Sequence, residues 1–395
     1  MPCALILMAE TGGGHRSASI ALKEAFEVLY PGEWDVHFIE IFAQILPFPL
    51  NRAGSIYRPM VAYTPFIWST LWRMGEKPFV QEMVEICFSP FAKGALLRFL
   101  DYYRPELVIS VHQLANHVPV GVFRKAGWDG AFVTVVTDLV TLHTLWFNPN
   151  VDLCIVPTEE AKTKAIKAGI PRQKVRLLGF PLSRRFRPAE DKEAIRRKLG
   201  LQGGITTGLL VGGGEGMGRL FKVACAINEA TLPIQLLAVA GRNRSLRNRL
   251  ESLNWNIPHK VYGFVDNMDQ LMQASDFIIT KAGPGTICEA MAVGLPILLI
   301  DFVPGQEEGN VEFVERQGVG VFAPSPSEAV RVLKRWLSHP QEIQDIRQRA
   351  PGLVKVEASL DIVAAAVEVV YNRQNKREKQ EKGEKDAVPL GVNSR

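Results

Sequence analysis

The chain has few cysteines and no long hydrophobic run in its 395 residues. None of the five cysteines belongs to a CxxC pair, and an odd number cannot all pair with one another, so we expect reduced thiols in a cytosolic protein. No apolar stretch reaches the roughly 18 residues that a membrane-spanning helix needs, which argues against an integral membrane protein. The amino-terminal apolar run has no basic segment before it, so it predicts a first strand rather than a signal peptide.

A strong charge of one sign is also missing from most of the chain. The net charge is +5, but residues 373–395 hold seven Lys/Arg and four Asp/Glu, so this tail supplies +3 and the remaining chain only +2. A nucleic-acid-binding protein more often concentrates basic charge on a folded face, and we therefore expect no nucleic-acid partner. Because residues 372–386 contain no apolar side chain, the range 373–395 is predicted to be a disordered charged tail.

Short apolar runs alternate with helix-period segments along the whole chain. Strands rich in Val, Ile and Leu and separated by amphipathic helices are typical of parallel sheets that are covered on both faces. The predicted strands are 4–8, 35–41, 106–111, 131–136, 152–156, 175–179, 207–212, 234–240, 276–281 and 296–301. The fold class is therefore α/β, with two doubly wound domains facing each other.

A charged and then Gly-rich stretch divides the two series of strands. It predicts a first domain at 1–185, a linker at 186–204 and a second domain at 205–354. Leu360, Val363, Ala364, Val367 and Val370 recur at helical spacing, which predicts an amphipathic helix over 355–372 before the tail.

Each domain has a glycine-rich loop between a strand and a helix, at 11–17 and at 212–218. Such a loop lets backbone N–H groups approach an anion at a helix N-terminus, although glycines can also serve only a tight turn. Neither loop has the GxGxxG pattern of dinucleotide oxidoreductases. Arg219 and Leu220 stand where a P-loop needs Lys and Ser/Thr, so ATP hydrolysis is not expected.

Residues 280–310 combine the parts of a nucleotide-sugar site. Gly283 and Gly285 turn the chain, and Thr286 is predicted to cap a helix that carries Glu289 one turn further on. The helix N-terminus would face a diphosphate, and the carboxylate would accept hydrogen bonds from ribose hydroxyls. Polar side chains that can bind sugar hydroxyls follow the next strand: Gln306, Glu307 and Asn310.

Four titratable residues between 112 and 143 invite comparison with a metal site: His112, His117, Asp138 and His143. The five-residue spacing of the first two histidines does not put them on one helical face, and no HExxH or CxxC motif accompanies them. We therefore expect these histidines to position the acceptor or the local structure, with no metal bound.

The segment 41–75 is rich in aromatic residues and contains only basic charges, with no acidic residue between Glu40 and Glu76. Aromatic and basic side chains in a proline-interrupted apolar stretch suit the headgroup layer of an anionic bilayer. The residues predicted to face the membrane are Phe66, Trp68, Trp72 and Arg73. The alternative for about half of this stretch is burial in the core of the first domain.

The segment TKAGPGTICEA…GLPILL…PGQEEGN resembles the donor signature of the monogalactosyldiacylglycerol synthases and the related diacylglycerol glucosyltransferases. These are GT28-type enzymes, in the group that includes the peptidoglycan lipid-intermediate N-acetylglucosaminyltransferase. TGGGHRSAS, ISVHQLANHVP, VTVVTDLVTLHTLWF, GFPLSRRF and LLVGGGEGMG are similar to that family in the same order. The resemblance covers about residues 4–372.

The resemblance implies the GT-B fold, with two Rossmann-like domains around a cleft and a last helix that crosses back to the first domain. It implies a UDP-galactose or UDP-glucose donor on the second domain, a diacylglycerol acceptor, inversion at the anomeric carbon, and no metal or other cofactor. The KAGPGT form is closer to the galactosyl enzymes. By resemblance, Phe264 and Val265 border the uracil, Glu289 binds ribose, and Gln306 and Glu307 bind the sugar.

The reaction needs a base for the acceptor hydroxyl and a stabiliser for the leaving diphosphate. His15 is the first candidate base, because the matching histidine of the peptidoglycan enzyme is implicated in acceptor activation, and Asp138 at a strand end is the alternative. Loop amides would stabilise the diphosphate, and they belong to Gly214, Glu215 and Gly216. The residues expected on the acceptor side are Gly13, Gly14, His112, His117 and His143.

Two other functions stay open on the sequence. One is a GT-B enzyme with another lipid-linked or soluble acceptor, and the other is a non-catalytic sensor of UDP-sugar. For the enzyme, we expect a cytoplasmic protein attached peripherally to the cytoplasmic membrane.

Overall fold

The computed structural model describes residues 1–10, 13–48, 50–52, 60–61, 64–216 and 218–386. The strands of the first sheet pair in the order β2-β1-β3-β4-β5-β6, and all pairs are parallel. They are β1 Cys3–Met8, β2 Asp35–Glu40, β3 Leu107–Ser110, β4 Ala131–Val135, β5 Leu153–Val156 and β6 Val175–Leu177. The strand order reverses beside β1, so the carboxyl ends of β1 and β3 flank a crevice where ligands of such sheets bind.

The second sheet is also parallel throughout, in the order β12-β11-β10-β7-β8-β9. Its strands are β7 Thr206–Val211, β8 Ile234–Val239, β9 His259–Tyr262, β10 Phe277–Lys281, β11 Ile297–Asp301 and β12 Gly320–Phe322. Its order reverses between β7 and β10, and these two strands lead into the second glycine loop and the donor signature.

The helices cover both faces of each sheet, as predicted. In the first domain they are α1 Gly13–Leu29, α2 Ile41–Ile45, α3 Pro65–Gly75, α4 Pro78–Tyr103, α5 Val118–Lys125 and α6 Glu159–Lys167. Those that follow are α7 Lys192–Lys198, α8 Leu220–Glu229, α9 Arg244–Glu251, α10 Met268–Ala274, α11 Pro284–Val293, α12 Glu308–Arg316, α13 Pro326–Ser338, α14 Pro340–Arg349 and α15 Ala358–Asp386. Short 3-10 turns lie at Leu50–Arg52, Gln113–Ala115, Thr144–Trp146, Arg172–Lys174 and Ala350–Leu353.

Ten of the observed strands coincide with the predicted apolar runs, and β9 and β12 were missed. Both missed strands are edges of the second sheet, three or four residues long and only partly buried. An edge strand is covered less by helices, so its sequence lacks the continuous apolar run that identifies a central parallel strand.

The last helix crosses back to the first domain, as the resemblance implied. Ile362, Val363 and Val367 of α15 are buried in the cluster that also holds Ile6 of β1 and Phe26 of α1. This cluster covers one face of the first sheet, and a second cluster around the fully buried Trp146 covers the other.

The helix also extends beyond the predicted range. The helix was predicted over 355–372 with a disordered tail from residue 373, whereas α15 continues to Asp386. Arg373 pairs with Asp152, and its Nε donates a 2.9 Å hydrogen bond to the carbonyl of Asp129. These contacts attach the beginning of the extension to the first domain. Residues 387–395 lie outside the described residues.

A buried charge network attaches the linker helix α7 to the second domain. The carboxylate of Asp276, at the start of β10, accepts hydrogen bonds from Lys192 (2.6 Å), Arg196 (2.6 Å) and Arg347 (2.7 Å). The backbone N–H of Thr207 donates a fourth bond of 2.7 Å to it. These basic partners and the N–H overcome the opposing effect of burial and lower the pKa of Asp276 to about 2.

We expect Asp276→Asn to lower the free energy of unfolding of the second domain by about 3–5 kcal/mol at pH 7, because Lys192, the buried Arg196 and Arg347 lose the carboxylate that they share. The depressed pKa of Asp276 means that its contribution is complete above the unfolded pKa of about 4 and is lost as the pH falls towards 2. Urea unfolding measures both effects. The matched control is Asp345→Asn on exposed α14, and equal midpoints for the two variants would contradict the assignment.

Candidate functional site

A cleft of about 410 Å³ lies where the carboxyl ends of both sheets face each other. It is lined by residues of both domains. The sequence-predicted site residues on its lining are Gly13, Gly14, His15, Asp138, Gly214, Glu215, Phe264, Val265, Gly283, Gly285, Thr286, Glu289, Gln306 and Glu307. The predicted residues outside the lining are Gly216, Asn310, His112, His117 and His143.

The glycine loops of the two domains touch across the cleft. A Cβ atom on Gly13 would lie 3.3 Å from the backbone nitrogen of Gly214, and one on Gly285 would lie 3.4 Å from the Cα of Gly14. The amino-terminal ends of α1 and α11 therefore lie close together. Positive helix ends and backbone N–H groups from both domains meet here, an arrangement that suits a phosphate-containing ligand.

Gly216 shapes the second glycine loop from behind the cleft. Its φ of 57° is in the left-handed region, and a Cβ atom there would collide with the carbonyl oxygen of Ala240. The Asn243 side chain donates a 3.2 Å hydrogen bond to the Gly216 carbonyl and fixes the turn. Glycine is required at this position for the backbone conformation.

His15 lies in the first turn of α1 with its ring held by the first sheet. Its Nδ1 is 2.9 Å from the carbonyl oxygen of Val111 and 3.0 Å from the hydroxyl of Thr137. A carbonyl only accepts, so Nδ1 carries the proton and Nε2 carries the lone pair. Burial lowers the pKa of His15 to about 4, against the weaker opposing effect of the Val111 bond, so the ring is neutral at pH 7.

Asp138 follows β4 and is also buried against an aromatic ring. The indole N–H of Trp146 donates a 2.7 Å hydrogen bond to its Oδ2, and only 5% of the residue is exposed. Burial raises its pKa to about 7, although the Trp146 bond opposes the shift. The Trp146 ring centroid lies 6.4 Å from that of His15, so both candidate bases share one wall of the cleft.

Glu289 lies in the middle of α11 and contacts the first domain. It is 8% exposed and accepts a 2.8 Å hydrogen bond from the hydroxyl of Ser17 on α1. Burial raises its pKa to about 7.

The predicted helix cap is wrong: Gly283 is the N-cap and Pro284 the first helical residue, so Thr286 lies inside the first turn. Proline is preferred at that first position because it needs no hydrogen-bond partner there.

The loop after β11 brings Gln306 and Glu307 to the cleft. Glu307 contacts Lys281, a cleft residue to which the sequence analysis assigned no role. Lys281 ends β10 and pairs with Glu307, whose other oxygen accepts a 2.9 Å bond from the N–H of Val303. Its position at the end of a central strand was the available signal. Asn310 is buried, and its amide donates a 2.9 Å hydrogen bond to the carbonyl of Ala282. It therefore connects the start of α12 to the turn between β10 and α11.

Phe264 and Val265 form the far end of the cleft with a second residue that the sequence analysis missed. The guanidinium of Arg242 lies 4.6 Å from the centroid of the Phe264 ring and pairs with Glu215 at 2.9 Å. Phe264 is 54% exposed, so its ring is available to a planar ligand. Arg242 follows β8, again at the carboxyl edge of the sheet.

The three predicted acceptor-side histidines lie behind the cleft wall. Nδ1 of His112 accepts a 3.2 Å bond from the N–H of Leu114, and burial lowers its pKa well below the usual value. Burial also lowers the pKa of His117 to about 4 and that of His143. No cluster of three or more His, Cys, Asp or Glu side chains suited to a metal ion occurs within the described residues.

The aromatic segment divides between surface and core. Phe66 is 81% exposed and Arg73 is exposed, and Trp68 is partly buried, but Trp72 is 5% exposed. The prediction of a membrane-facing Trp72 is therefore wrong. Its ring packs at 4.8 Å against His143, and a Cβ atom on Gly305 of the donor loop would lie 3.3 Å from it.

The exposed apolar surface extends further than the predicted segment. We call it the apolar ridge, and it consists of Phe66, Ile67, Leu71 and Met74 on α3 with Met83, Ile86 and Phe91 on α4. Tyr57 and Tyr63 of the predicted segment lie outside the described residues. Among the helices that the structure describes, none is long and apolar enough to cross a bilayer.

Two Rossmann-like domains, a cleft at both switch points and a carboxy-terminal helix on the first domain define the GT-B fold. The crystal structure of MurG from Acinetobacter baumannii has the same fold, with a TM-score of 0.60 and 14% sequence identity. The match covers 93% of this chain and 100% of that one.

Sequence comparison identifies the family. The family model for monogalactosyldiacylglycerol (MGDG) synthase matches residues 15–182, and that for the glycosyltransferase family 28 C-terminal domain matches 209–334. A probable monogalactosyldiacylglycerol synthase of Glycine max is 37% identical over 384 residues, which cover 93% of this chain and 72% of the relative. Monogalactosyldiacylglycerol synthase 1 of Arabidopsis thaliana is 37% identical over 386 residues, with 94% and 72% covered. The chain belongs to the monogalactosyldiacylglycerol synthase family.

The names of these relatives correct the expected location. Both are named chloroplastic enzymes, so the expectation of attachment to the cytoplasmic membrane is wrong by this comparison. Aromatic and basic side chains are suited to any anionic bilayer surface, and their pattern does not distinguish one membrane from another.

We expect Glu289→Gln to stabilise the protein at pH 8 by about 2 kcal/mol more than at pH 5. The folded pKa of about 7 is above the unfolded value, so this carboxyl contributes stability at low pH that is lost as the pH rises towards 7. Glutamine keeps the size and the acceptor for Ser17 without the cost of ionisation.

Urea unfolding at the two pH values measures this difference. The matched control is Glu312→Gln, an exposed carboxylate on α12 that should leave the pH dependence unchanged. A constant difference between Glu289→Gln and the unsubstituted chain at pH 5 and pH 8 would refute the assignment.

Proposed function

We propose that this chain transfers galactose from UDP-galactose to the free hydroxyl of diacylglycerol, with inversion at the anomeric carbon. The observation that carries the proposal is the cleft that joins a neutral histidine of the first domain to the phosphate-binding loops of the second. Family membership supports the same donor and acceptor, because the curated relatives are named monogalactosyldiacylglycerol synthases.

The donor lies on the second domain in this proposal. The uracil stacks beside Phe264 and Val265, with Arg242 behind the aromatic ring. The diphosphate faces the loop amides near Gly214 and the amino-terminal end of α11. Glu289, buried one turn further along this helix, accepts hydrogen bonds from the ribose hydroxyls.

The acceptor hydroxyl approaches from the first domain and loses its proton to Nε2 of His15. The bond from Nδ1 to the Val111 carbonyl holds the ring in the tautomer that a base requires. In the protein without substrate, the low pKa of His15 keeps the ring unprotonated at pH 7. The negative charge of the bound diphosphate then favours the protonated ring that forms during the reaction. Asp138 is the alternative base, since its pKa of about 7 also suits proton transfer near neutral pH.

We propose that the departing UDP needs no bound metal or other cofactor. Two helix N-termini, loop amides and Lys281 surround the position of the diphosphate and supply positive charge there. A transfer rate that is unchanged by EDTA supports this part of the proposal.

We propose that the enzyme docks on an anionic bilayer through the apolar ridge. Phe66, Ile67 and Leu71 project from α3 while Trp72 on its inner side contacts the donor loop at Gly305. The ridge therefore lies on the domain that receives the lipid acceptor, and Arg73 beside it adds a positive charge.

The function is tested by incubating the protein with diacylglycerol in anionic mixed micelles and either UDP-galactose or UDP-glucose. We expect the galactolipid to form faster, and His15→Ala to lower kcat by about 10²- to 10⁴-fold while UDP still binds. The control His339→Ala changes an exposed histidine outside the cleft and should retain full activity.

The pH dependence of kcat/KM separates the two candidate bases. If His15 is the base, activity stays level from pH 8 to pH 5 and declines only as the pH approaches 4. A decline centred near pH 7 that Asp138→Asn abolishes would assign the base to Asp138 instead. UDP-sugar binding without glycolipid from either donor would favour the sensor or another acceptor.

Membrane docking is tested by sedimentation with anionic vesicles. We expect Phe66→Ser together with Leu71→Ser to weaken binding by at least about tenfold, because each exposed apolar side chain contributes on the order of 1.5–3 kcal/mol when fully buried. The control Tyr371→Ser removes a half-exposed aromatic ring from α15. Equal vesicle binding by both variants would reject the apolar ridge as the docking surface.

A further inference from the structure

We propose that Lys281 receives the β-phosphate of the departing UDP, and that Glu307 positions Lys281 for this contact. The inference rests on the proposed function and assigns the group that balances the charge of the leaving group. It also gives Glu307 a positioning role that the sequence analysis did not assign.

Lys281 lies between the two loops that face the diphosphate. It ends β10 beside β7, at the switch point of the second sheet. Its Cε lies 3.9 Å from the position of a Cβ atom on Gly213, and its Nζ lies 3.2 Å from that of one on Gly283. The ammonium therefore fills the gap between the glycine loop after β7 and the N-cap of α11.

Glu307 holds this ammonium in place with both of its oxygens engaged. Only 4% of the Glu307 side chain is exposed; Oε1 pairs with Lys281, and Oε2 accepts a 2.9 Å bond from the N–H of Val303. With one partner on each oxygen, the carboxylate is fixed in the orientation that holds the Lys281 ammonium at the cleft. The ammonium carries three N–H groups, and one is sufficient for Glu307, so the others are available to a ligand in the cleft.

This position suits the charge that develops in the reaction. The acceptor oxygen forms the new bond to the anomeric carbon as the bond from that carbon to the β-phosphate oxygen breaks. The electron pair of the broken bond stays on the β-phosphate, and the hydroxyl proton goes to the base on the first domain. Lys281, already oriented by Glu307, stabilises this negative oxygen without further rearrangement.

The other basic residue of the donor side has a different position. Arg242 pairs with Glu215 and lies over the ring of Phe264, towards the end of the cleft proposed for the uracil. Lys281 lies against Gly213 of one phosphate loop and Gly283 of the other, whereas Arg242 lies 3.8 Å from the Cβ position of Gly214. The β-phosphate is therefore assigned to Lys281.

Calorimetry with UDP and UMP tests the contact without any acceptor or membrane. We expect Lys281→Met to weaken UDP binding by about 10- to 100-fold, the usual effect of losing a charge-assisted hydrogen bond, and to change UMP binding less than about twofold. Lys281→Arg should restore part of the difference. Lys222→Met, at an exposed position on α8 outside the cleft, is the matched control and should bind both nucleotides normally.

Glu307→Gln tests whether Glu307 positions Lys281. If it does, the affinity for UDP, which carries no sugar, falls together with the affinity for UDP-galactose. A loss confined to UDP-galactose would overturn this role. The double variant Lys281→Met with Glu307→Gln leaves no uncompensated buried charge, so it tests the UDP contact even if Lys281→Met alone does not fold.

The outcomes separate the inference from the function on which it rests. Equal effects of Lys281→Met on UDP and UMP, or no effect on either, would overturn the inference and leave the proposed function intact. Absence of UDP binding by the unsubstituted chain would overturn both.

Discussion

The close approach of two glycine loops is the constraint on which the rest of the site depends. A Cβ atom on Gly13 would lie 3.3 Å from the nitrogen of Gly214, and one on Gly285 would lie 3.4 Å from the Cα of Gly14, so the loops of the two domains are in close contact. This contact brings the amino-terminal ends of α1 and α11 together and allows Ser17 to reach Glu289. Because helix ends and backbone amides are fixed dipoles, bringing them together creates a preorganised environment for a diphosphate.

Desolvation tunes the ionisable groups around this contact. Burial lowers the pKa of His15 to about 4 and raises the pKa values of Asp138 and Glu289 to about 7. In each case burial favours the neutral form of the side chain. Such shifted pKa values cluster at sites where ligands bind. Asp276 differs because three basic partners keep it ionised and low in pKa, which suits a structural role.

A buried ring on the helix α3 connects the apolar ridge to the donor loop. Trp72 lies on the inner side of α3, whose outer side carries Phe66 and Leu71, and it contacts Gly305 and His143. The helix proposed to meet the bilayer therefore also supports the loop that carries Gln306 and Glu307. In this fold the proposed lipid-facing surface and the donor site share one packing contact.

The sequence by itself determined the two parallel sheets, because buried central strands need continuous apolar runs, and it located the glycine loops that follow them. The edge strands β9 and β12 escaped prediction because partial burial removes that pattern. Only the tertiary structure decided that Trp72 is buried, that Glu307 holds Lys281, and that α15 continues past residue 373. Each of these depends on a partner distant in the chain, and spacing along a sequence does not report which distant side chains a fold brings into contact.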